Sequence, residues 1–470
     1  MSRSDLRNDA PAETRKTHAG DTNVEGYLIA LLALAVLLGL EPLIWSGSSV
    51  SSEFSFIILV MGAAGLLRAN LCAAMCIGFF AWALLGAAFS NVLIENGAYI
   101  SEQFRVGTFI GSTNLLCVYS LAFLMVAHLS VVSAIRRSAG RGLLVDAARI
   151  AQTSKIVAMG LLFIASLLAL VIVLYGTAAD ATRFEYWNSM PPAVRRVTQL
   201  ARSLNGPAAA VGTFVVIVAP ASKYRKLIIA LMLVVQAALF LMGDKMSPFV
   251  SALMFALFGA GIAIVAKDMS PRVKIKHLFW MASAVAALVL LLVRGVMGTQ
   301  GTAGSQTFQA IIQRAALQGH VWFGVLDRAH ERPGALVSMG EVISRTTLDH
   351  PTGLNALSML VAPPDFVMSR ISRGITFTMG GPAVPLALFG PAVGALVFAG
   401  LGLLIGIQVR IIMWALRSGR LATAAAGAVF GSSIIAITML GNWYSIYNIA
   451  SIGFAGLVVA SAFRPALHRR

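Results

Sequence analysis

The sequence predicts an all-α polytopic membrane protein, with about twelve helices crossing the bilayer and both termini cytoplasmic. Three observations predict it. Of 470 residues, 58% are hydrophobic and only 12% are charged, at a mean hydropathy of +0.82. No water-soluble domain of this length has such a composition. The apolar residues form continuous runs rather than alternating, which argues against a β-barrel. Finally, lysine and arginine concentrate on alternate connections between the runs. The net charge of +17 sits mostly in those short connections, where it fixes orientation, and implies no nucleic-acid partner.

Residues 1–25 are polar and lack an apolar h-region, so they read as a cytoplasmic tail rather than a cleavable signal peptide. Apolar runs follow at 26–45, 54–67, 69–89, 108–134, 155–176, 207–222, 224–242, 249–266, 277–296, 383–407, 421–440 and 446–463. The runs at 54–67 and 207–222 are the shortest for a span. The connections that share a side with the two termini hold 23 of the 36 Lys and Arg residues; the other side holds 13. Seven of the eight lysines follow the same bias, Lys245 being the exception. The expected organisation is nine spans over 26–296, with an outer loop at 177–206. A large outer loop at 297–382, three spans over 383–463 and a cytoplasmic tail at 464–470 follow. Cys72, Cys76 and Cys117 all fall inside runs, which suits packing rather than a disulfide framework or a metal site.

The 86-residue loop from Met297 to Pro382 interrupts this pattern. It carries Arg314, Arg328, Arg332, Arg345, Arg370 and Arg373 and no lysine. Long loops translocate whatever their charge, so these arginines fit the orientation, and an arginine cluster there calls for an anionic partner. Phe308, Ile311, Ile312, Ala315, Trp322 and Leu326 share one helical face, with Gln309, Gln313, His320 and Asp327 on a separate polar stripe. The spacing predicts an amphipathic helix on the outer membrane surface or capping the bundle. After Pro363 and Pro364 a short helix from Phe366 to Arg373 would set Arg370 and Arg373 within one turn. Loops of this length inside compact proteins are usually functional.

Few charges lie within the runs. Glu41, His128 and Arg294 sit near run ends, and Glu41 and His128 read as satisfied inter-helix contacts rather than a proton relay. In loop 177–206, Arg183, Arg195, Arg196 and Arg202 accompany Tyr186 and Trp187. Arginine binds phosphate oxygens in bidentate fashion, and such aromatics suit a sugar face or the headgroup boundary. Lys245, in Gly243-Asp-Lys-Met-Ser-Pro248, is a candidate cation or the partner of Asp244. The segment Gln313-Arg-Ala-Ala-Leu-Gln-Gly-His-Val-Trp-Phe323 combines Gln313, Gln318 and Trp322, the amide and aromatic groups that a sugar site uses. A base for a sugar hydroxyl would come from His320, Asp327, His330 or Glu331. No H-E-x-x-H, G-x-S-x-G or ligand-spaced Asp/His set supports a metalloenzyme or serine hydrolase.

In architecture and in the segments Arg183-Phe-Glu-Tyr-Trp187, Gly243-Asp-Lys-Met-Ser-Pro248 and Gln313–Phe323, the chain resembles the Wzy-type O-antigen polymerases. Some of that family carry Arg-x10-Gly in each of two periplasmic loops, which Arg195 with Gly206 and Arg370 with Gly381 match. The resemblance implies a GT-C-like helical bundle in the bacterial inner membrane with its active site facing the periplasm. It implies undecaprenyl-diphosphate-linked oligosaccharides as substrates and a chain-length regulator as a protein partner. The growing glycan would pass to a new lipid-linked unit without metal, nucleotide or other cofactor. Arg183, Arg314, Arg370, Arg373 and Lys245 would then bind diphosphate. Tyr186, Gln313, Gln318 and Trp322 would contact sugar, and His320, His330 or Glu331 would supply the base. An O-antigen ligase would share these features. A flippase or secondary transporter is the alternative of another class, against which stand the missing half-to-half repeat and the scarcity of intramembrane charge.

Overall fold

The computed structural model describes residues 22–45, 52–107, 111–138, 147–178, 183–243, 247–267, 312–331, 334–344, 351–372 and 380–463. These form seventeen α-helices, one 3-10 helix and one small hairpin. The helices are α1 (Val24–Trp45), α2 (Ser52–Ala69), α3 (Leu71–Glu95), α4 (Ser112–Ser138), α5 (Ala147–Tyr175), α6 (Arg183–Asn188), α7 (Pro192–Val218), α8 (Arg225–Leu241) and α9 (Ser247–Ala266). After these come α10 (His320–Glu331), α11 (Met339–Ile343), α12 (Leu354–Val361), α13 (Pro364–Ser372), α14 (Ala383–Leu401), α15 (Leu403–Arg417), α16 (Leu421–Thr438) and α17 (Ile449–Phe463). The hairpin pairs β1 (Tyr99–Ile100) with β2 (Arg105–Val106), and the 3-10 turn is Trp443–Tyr447.

The chain is an all-α polytopic membrane protein. Among the described residues, ten helical stretches are long and apolar enough to cross a bilayer. Bilayer hydrocarbon offers no partner for backbone N–H and C=O groups, so every crossing segment must satisfy them internally. Exposed Phe163, Leu170, Val173 and Leu174 on α5 present to lipid what a soluble protein would bury. α8, with 17 residues, stands at the lower limit of a span. The expected run at 277–296 lies outside the described residues.

Two expected boundaries are corrected. The outer loop at 177–206 is mostly helix: α6 occupies Arg183–Asn188, and α7 begins at Pro192 and runs unbroken through Pro207 to Val218. Proline ahead of α7 and at its first helical position supplies a preset φ and no unsatisfied N–H. The tenth run does not span as 383–407. Gly390 breaks it at φ 73°, in the region that disfavours a side chain, and the helix restarts at Pro391. Gly402 keeps helical angles, so Pro391 to Arg417 forms one rod about 40 Å long. The Tyr119 hydroxyl donates to the Pro391 carbonyl at 2.6 Å, beside the break. The half before the break, Ala383 to Leu388, is wholly buried and belongs to the loop region, where Leu336 N–H donates to Ala387 O at 2.7 Å.

The large loop also departs from the expected amphipathic surface helix. Residues 308–311 lie outside the described residues; 312–316 are helical, 317–319 turn, and α10 starts afresh at His320. Its first seven residues, His320 to Leu326, are buried, so α10 enters the bundle between α3, α4 and α14 rather than lying on it. The turn is held by buried polar groups of the spans. Ser90 Oγ donates to Ala316 O (2.6 Å) and accepts from Gly319 N–H (2.7 Å). Asn91 accepts from Ser112 Oγ (2.8 Å), and Trp322 Nε1 donates to Ser112 O (3.0 Å). Each such bond is worth about 1 kcal/mol net, and losing a partner costs more because the orphaned group stays buried.

The main core unites α1–α4, α9, α10, α12 and α14–α16, while α5–α8 gather a second cluster around Leu168, Trp187, Val235 and Leu239. Among the described residues, polar partners hold titratable groups in the spans. Glu41 accepts from Asn114 Nδ2 at 2.7 Å, and His128 sits between Tyr27 Oη (3.0 Å) and Asn70 O (3.2 Å). Cys72, Cys76 and Cys117 are free and buried.

Gly319 permits the insertion. A Cβ there would meet Ala87 O at 2.6 Å and Ser90 Oγ at 3.0 Å, and would also collide with Asn91 Nδ2. Gly319→Ala is expected to destabilise the protein by about 1–3 kcal/mol, since backbone cannot yield as a side-chain tip can. The check is a lowered thermal unfolding midpoint for the detergent-purified protein, against an unchanged midpoint for Gly86→Ala, where a Cβ meets nothing within 4 Å.

Candidate functional site

The hairpin between α3 and α4 creates the site. Tyr99 pairs with Val106 and Ile100 with Arg105, leaving residues 101–104 to turn. Ile100 is fully buried with Ile94, Ala316 and Phe323, which pins the hairpin base against the large loop. Phe104 takes φ 54°, sparsely populated for a side-chain-bearing residue and worth on the order of 1 kcal/mol of strain. That backbone turns Glu102 and Gln103 inward and leaves Phe104 exposed.

Glu102 keeps only 10% of its side chain exposed. Its Oε2 lies 3.0 Å from His320 Nε2, at the start of α10, and its Oε1 lies 3.1 Å from Arg370 Nη2, on α13. His320 Nδ1 lies 2.8 Å from Leu317 O, which can only accept. Both ring nitrogens therefore lie close to an oxygen, one a carboxylate and one a backbone carbonyl. Gln103 fastens the same corner, its amide donating to His320 O at 2.7 Å. The Arg370 guanidinium lies over the Phe366 ring (4.9 Å), and Phe366 meets Phe104 edge to face (5.5 Å). Burial alone would raise the Glu102 carboxyl. Hydrogen bonding from His320 and the charges of His320, Arg370 and Arg314 outweigh it and hold the group below its ordinary value. A second ion pair lies beside the first: Arg105 Nη1 meets Asp327 Oδ2 at 2.6 Å, and Arg105 spans the Phe323 ring at 5.6 Å.

The expected site residues divide accordingly. Arg314, His320 and Arg370 come together around Glu102. Gln313 and Gln318 are half-buried on the segment that leads into His320. Trp322 and Tyr186 do not offer a sugar-stacking face. Trp322 is fully buried edge-on to Tyr119 (4.9 Å), and Tyr186 is buried in the second cluster with its hydroxyl donating to Gly176 O (2.9 Å). His330 and Glu331 are exposed at the far end of α10, about 15 Å along the axis from His320, and Glu331 pairs with Arg328 at 2.9 Å. That distance removes both from the cluster. Arg183 opens α6 at a distance in sequence from these groups, and Lys245 and Arg373 lie outside the described residues. Arg195 and Gly206 both lie on α7. Among the described residues no three His, Cys, Asp or Glu side chains gather as a metal site.

Sequence reasoning missed Glu102, Gln103 and Arg105. Their connection is short, and its one cation entered only the charge count. The available signal was an acid, an amide and an arginine packed into Ser101-Glu-Gln-Phe-Arg105, between two long apolar runs.

A model of a family of unknown function, DUF6418, matches residues 347–455. That stretch reaches from α12 through the first part of α17, so it includes Arg370 and omits Glu102 and His320. No curated protein and no solved structure matches the chain.

A carboxyl held below its ordinary value of about 4.5 stabilises the fold fully above that value, and the contribution is lost as pH falls through the lower folded value. The wild-type unfolding midpoint should therefore fall between about pH 5 and pH 3 more steeply than that of Glu102→Gln. Parallel curves for the two proteins in a detergent-based thermal scan would show that Glu102 carries no such charge.

Proposed function

We propose that the protein is a glycosyltransferase acting on diphosphate-linked lipid glycans, a Wzy-like polymerase of surface polysaccharide in the bacterial inner membrane. One observation carries this reading. Arg370 pairs with a buried carboxylate that also meets His320, and the charge of Arg314 acts on the same group, so arginines outnumber the acid at one end of a helical bundle. Departure of a lipid diphosphate develops negative charge, and preorganised cations that need no reorganisation stabilise it best. Arginine suits the role because it keeps its charge and offers paired donors to phosphate oxygens. With both termini cytoplasmic, as the charge pattern expects, this cluster faces the periplasm.

In this reading the donor's diphosphate sits on Arg314 and Arg370, and Gln313 and Gln318 lie near enough to meet sugar hydroxyls. His320 meets Glu102 through Nε2 and lies against Leu317 O through Nδ1, so it is held in place beside the acid. The proton of the acceptor hydroxyl then falls to a carboxylate of the cluster, Glu102 or Asp327. The acceptor oxygen forms the new bond to the donor sugar's anomeric carbon. The bond from that carbon to the diphosphate breaks, and its electron pair leaves with undecaprenyl diphosphate. A GT-C-like arrangement of the spans and a chain-length regulator as partner belong to the same proposal.

The test is the lipopolysaccharide ladder of a strain lacking the protein. The expected result is loss of the ladder with one repeat unit left on the core, restored by the wild-type chain and by Arg328→Gln. Arg370→Gln should lower polymer by about tenfold or more, the usual scale for removing one charge-stabilising donor. Loss of every repeat unit, with lipid-linked polymer accumulating, would instead identify a ligase. An intact ladder in the deletion strain would refute both.

A further inference from the structure

Glu102 fills the place that an anionic ligand would take. Its two oxygens are divided between two cations, Oε2 at 3.0 Å from His320 and Oε1 at 3.1 Å from Arg370, as two oxygens of a phosphoryl group would be. We propose that Glu102 is an internal counter-anion, which occupies the cationic seat formed by Arg370, Arg314 and His320 and is displaced when a diphosphate enters. The proposal deepens the reading given under Proposed function and rests on it.

The seat is built to outlast the exchange. Arg370 contacts Glu102 through one terminal nitrogen, while its guanidinium plane is set by the Phe366 ring at 4.9 Å. His320 is fixed by its Nδ1 contact to Leu317 O and by Gln103 bonding to its own carbonyl. Each of the two groups thus has a second contact besides the carboxylate. Arg314 is exposed, and its charge helps to lower the Glu102 carboxyl. Above lies the hairpin tip, where Phe104 is 57% exposed.

Internal competition confers specificity. A small single-charged anion offers no more than the resident carboxylate, and so cannot displace it. Two adjacent phosphoryl groups can engage all three cations and do displace it. The ligand class is therefore a diphosphate, either free pyrophosphate or the headgroup of a polyprenyl diphosphate lipid.

The experiment uses the full chain in lipid nanodiscs and measures binding of inorganic pyrophosphate, of orthophosphate and of a polyprenyl diphosphate added to the nanodisc lipid. Glu102→Gln should bind the diphosphate about tenfold more tightly than wild type, with Glu102→Asp in between, because the competing charge is removed or retracted. Arg314→Gln should bind more weakly, and orthophosphate should bind weakly throughout. Tightening seen for the lipid alone identifies the headgroup as the ligand; tightening seen for pyrophosphate as well identifies the diphosphate itself. Both support the proposal. Glu102→Asp keeps the charge within the fold and stands in if Glu102→Gln fails to fold. If both Glu102 variants bind as wild type or more weakly, while Arg370→Gln still abolishes binding, the counter-anion is refuted and the anion site survives. If no protein binds either diphosphate, the anion site falls as well.

Discussion

A carboxylate taken almost wholly out of water must be met by cations, and at Glu102 that requirement organises three distant parts of the chain. The hairpin between α3 and α4 supplies the acid, α10 the imidazole, and α13 the guanidinium. Left unpaired, such a charge would cost several kcal/mol. Its partners are therefore obligatory, and they fix where the large loop can lie. The loop is not a flap over the bundle. It threads α10 between α3, α4 and α14, and Ser90, Asn91 and Ser112 of the spans satisfy the polar backbone at its turn. Buried charge and buried turn reinforce each other: the turn delivers His320 to Glu102, and the ion pairs hold the turn in place.

The bilayer imposes the second constraint. A helix may break at membrane depth only where protein satisfies the freed backbone groups. At Gly390–Pro391 the Tyr119 hydroxyl bonds to the Pro391 carbonyl and the Tyr119 ring packs against Trp322, which ties the break to the buried loop helix. The break shortens the spanning rod to Pro391–Arg417 and assigns Ala383–Leu388 to the loop region. The site thus lies on a hairpin and on loop helices packed against the spans, which suits chemistry that depends on fixed charge positions.

What was legible in the sequence follows from these constraints. Spans are written as continuous apolar runs because hydrocarbon tolerates little else; the short run 54–67 lies within helix Ser52–Ala69, and the run 207–222 is helical as far as Val218, in Pro192–Val218. Their ends are less legible, since α7 continues well into a polar stretch and Gly390–Pro391 hides inside an apolar run. The amphipathic stripe through Trp322 and Leu326 is real, but its polar member His320 faces a buried acid instead of water. Periodicity reports that a face is polar; it does not report what meets that face. Glu102 was invisible for a related reason. It stands more than two hundred residues from both partners, and no local spacing encodes such a pairing. Trp322 and Tyr186 misled because an indole or phenol that completes a core carries the same letters as one that stacks on a sugar.

The arrangement of charge also explains why arginine and not lysine fills the loop. Arg370 must meet Glu102 and cover Phe366 at once, and Arg105 must meet both Asp327 and Gln103 while spanning Phe323. A planar guanidinium does both, using its edge for hydrogen bonds and its face for the ring. A lysine ammonium is a point charge and cannot divide itself in this way. The aromatic partners fix the plane of each guanidinium, which suits the anion site proposed above, since less side-chain freedom would be lost on binding.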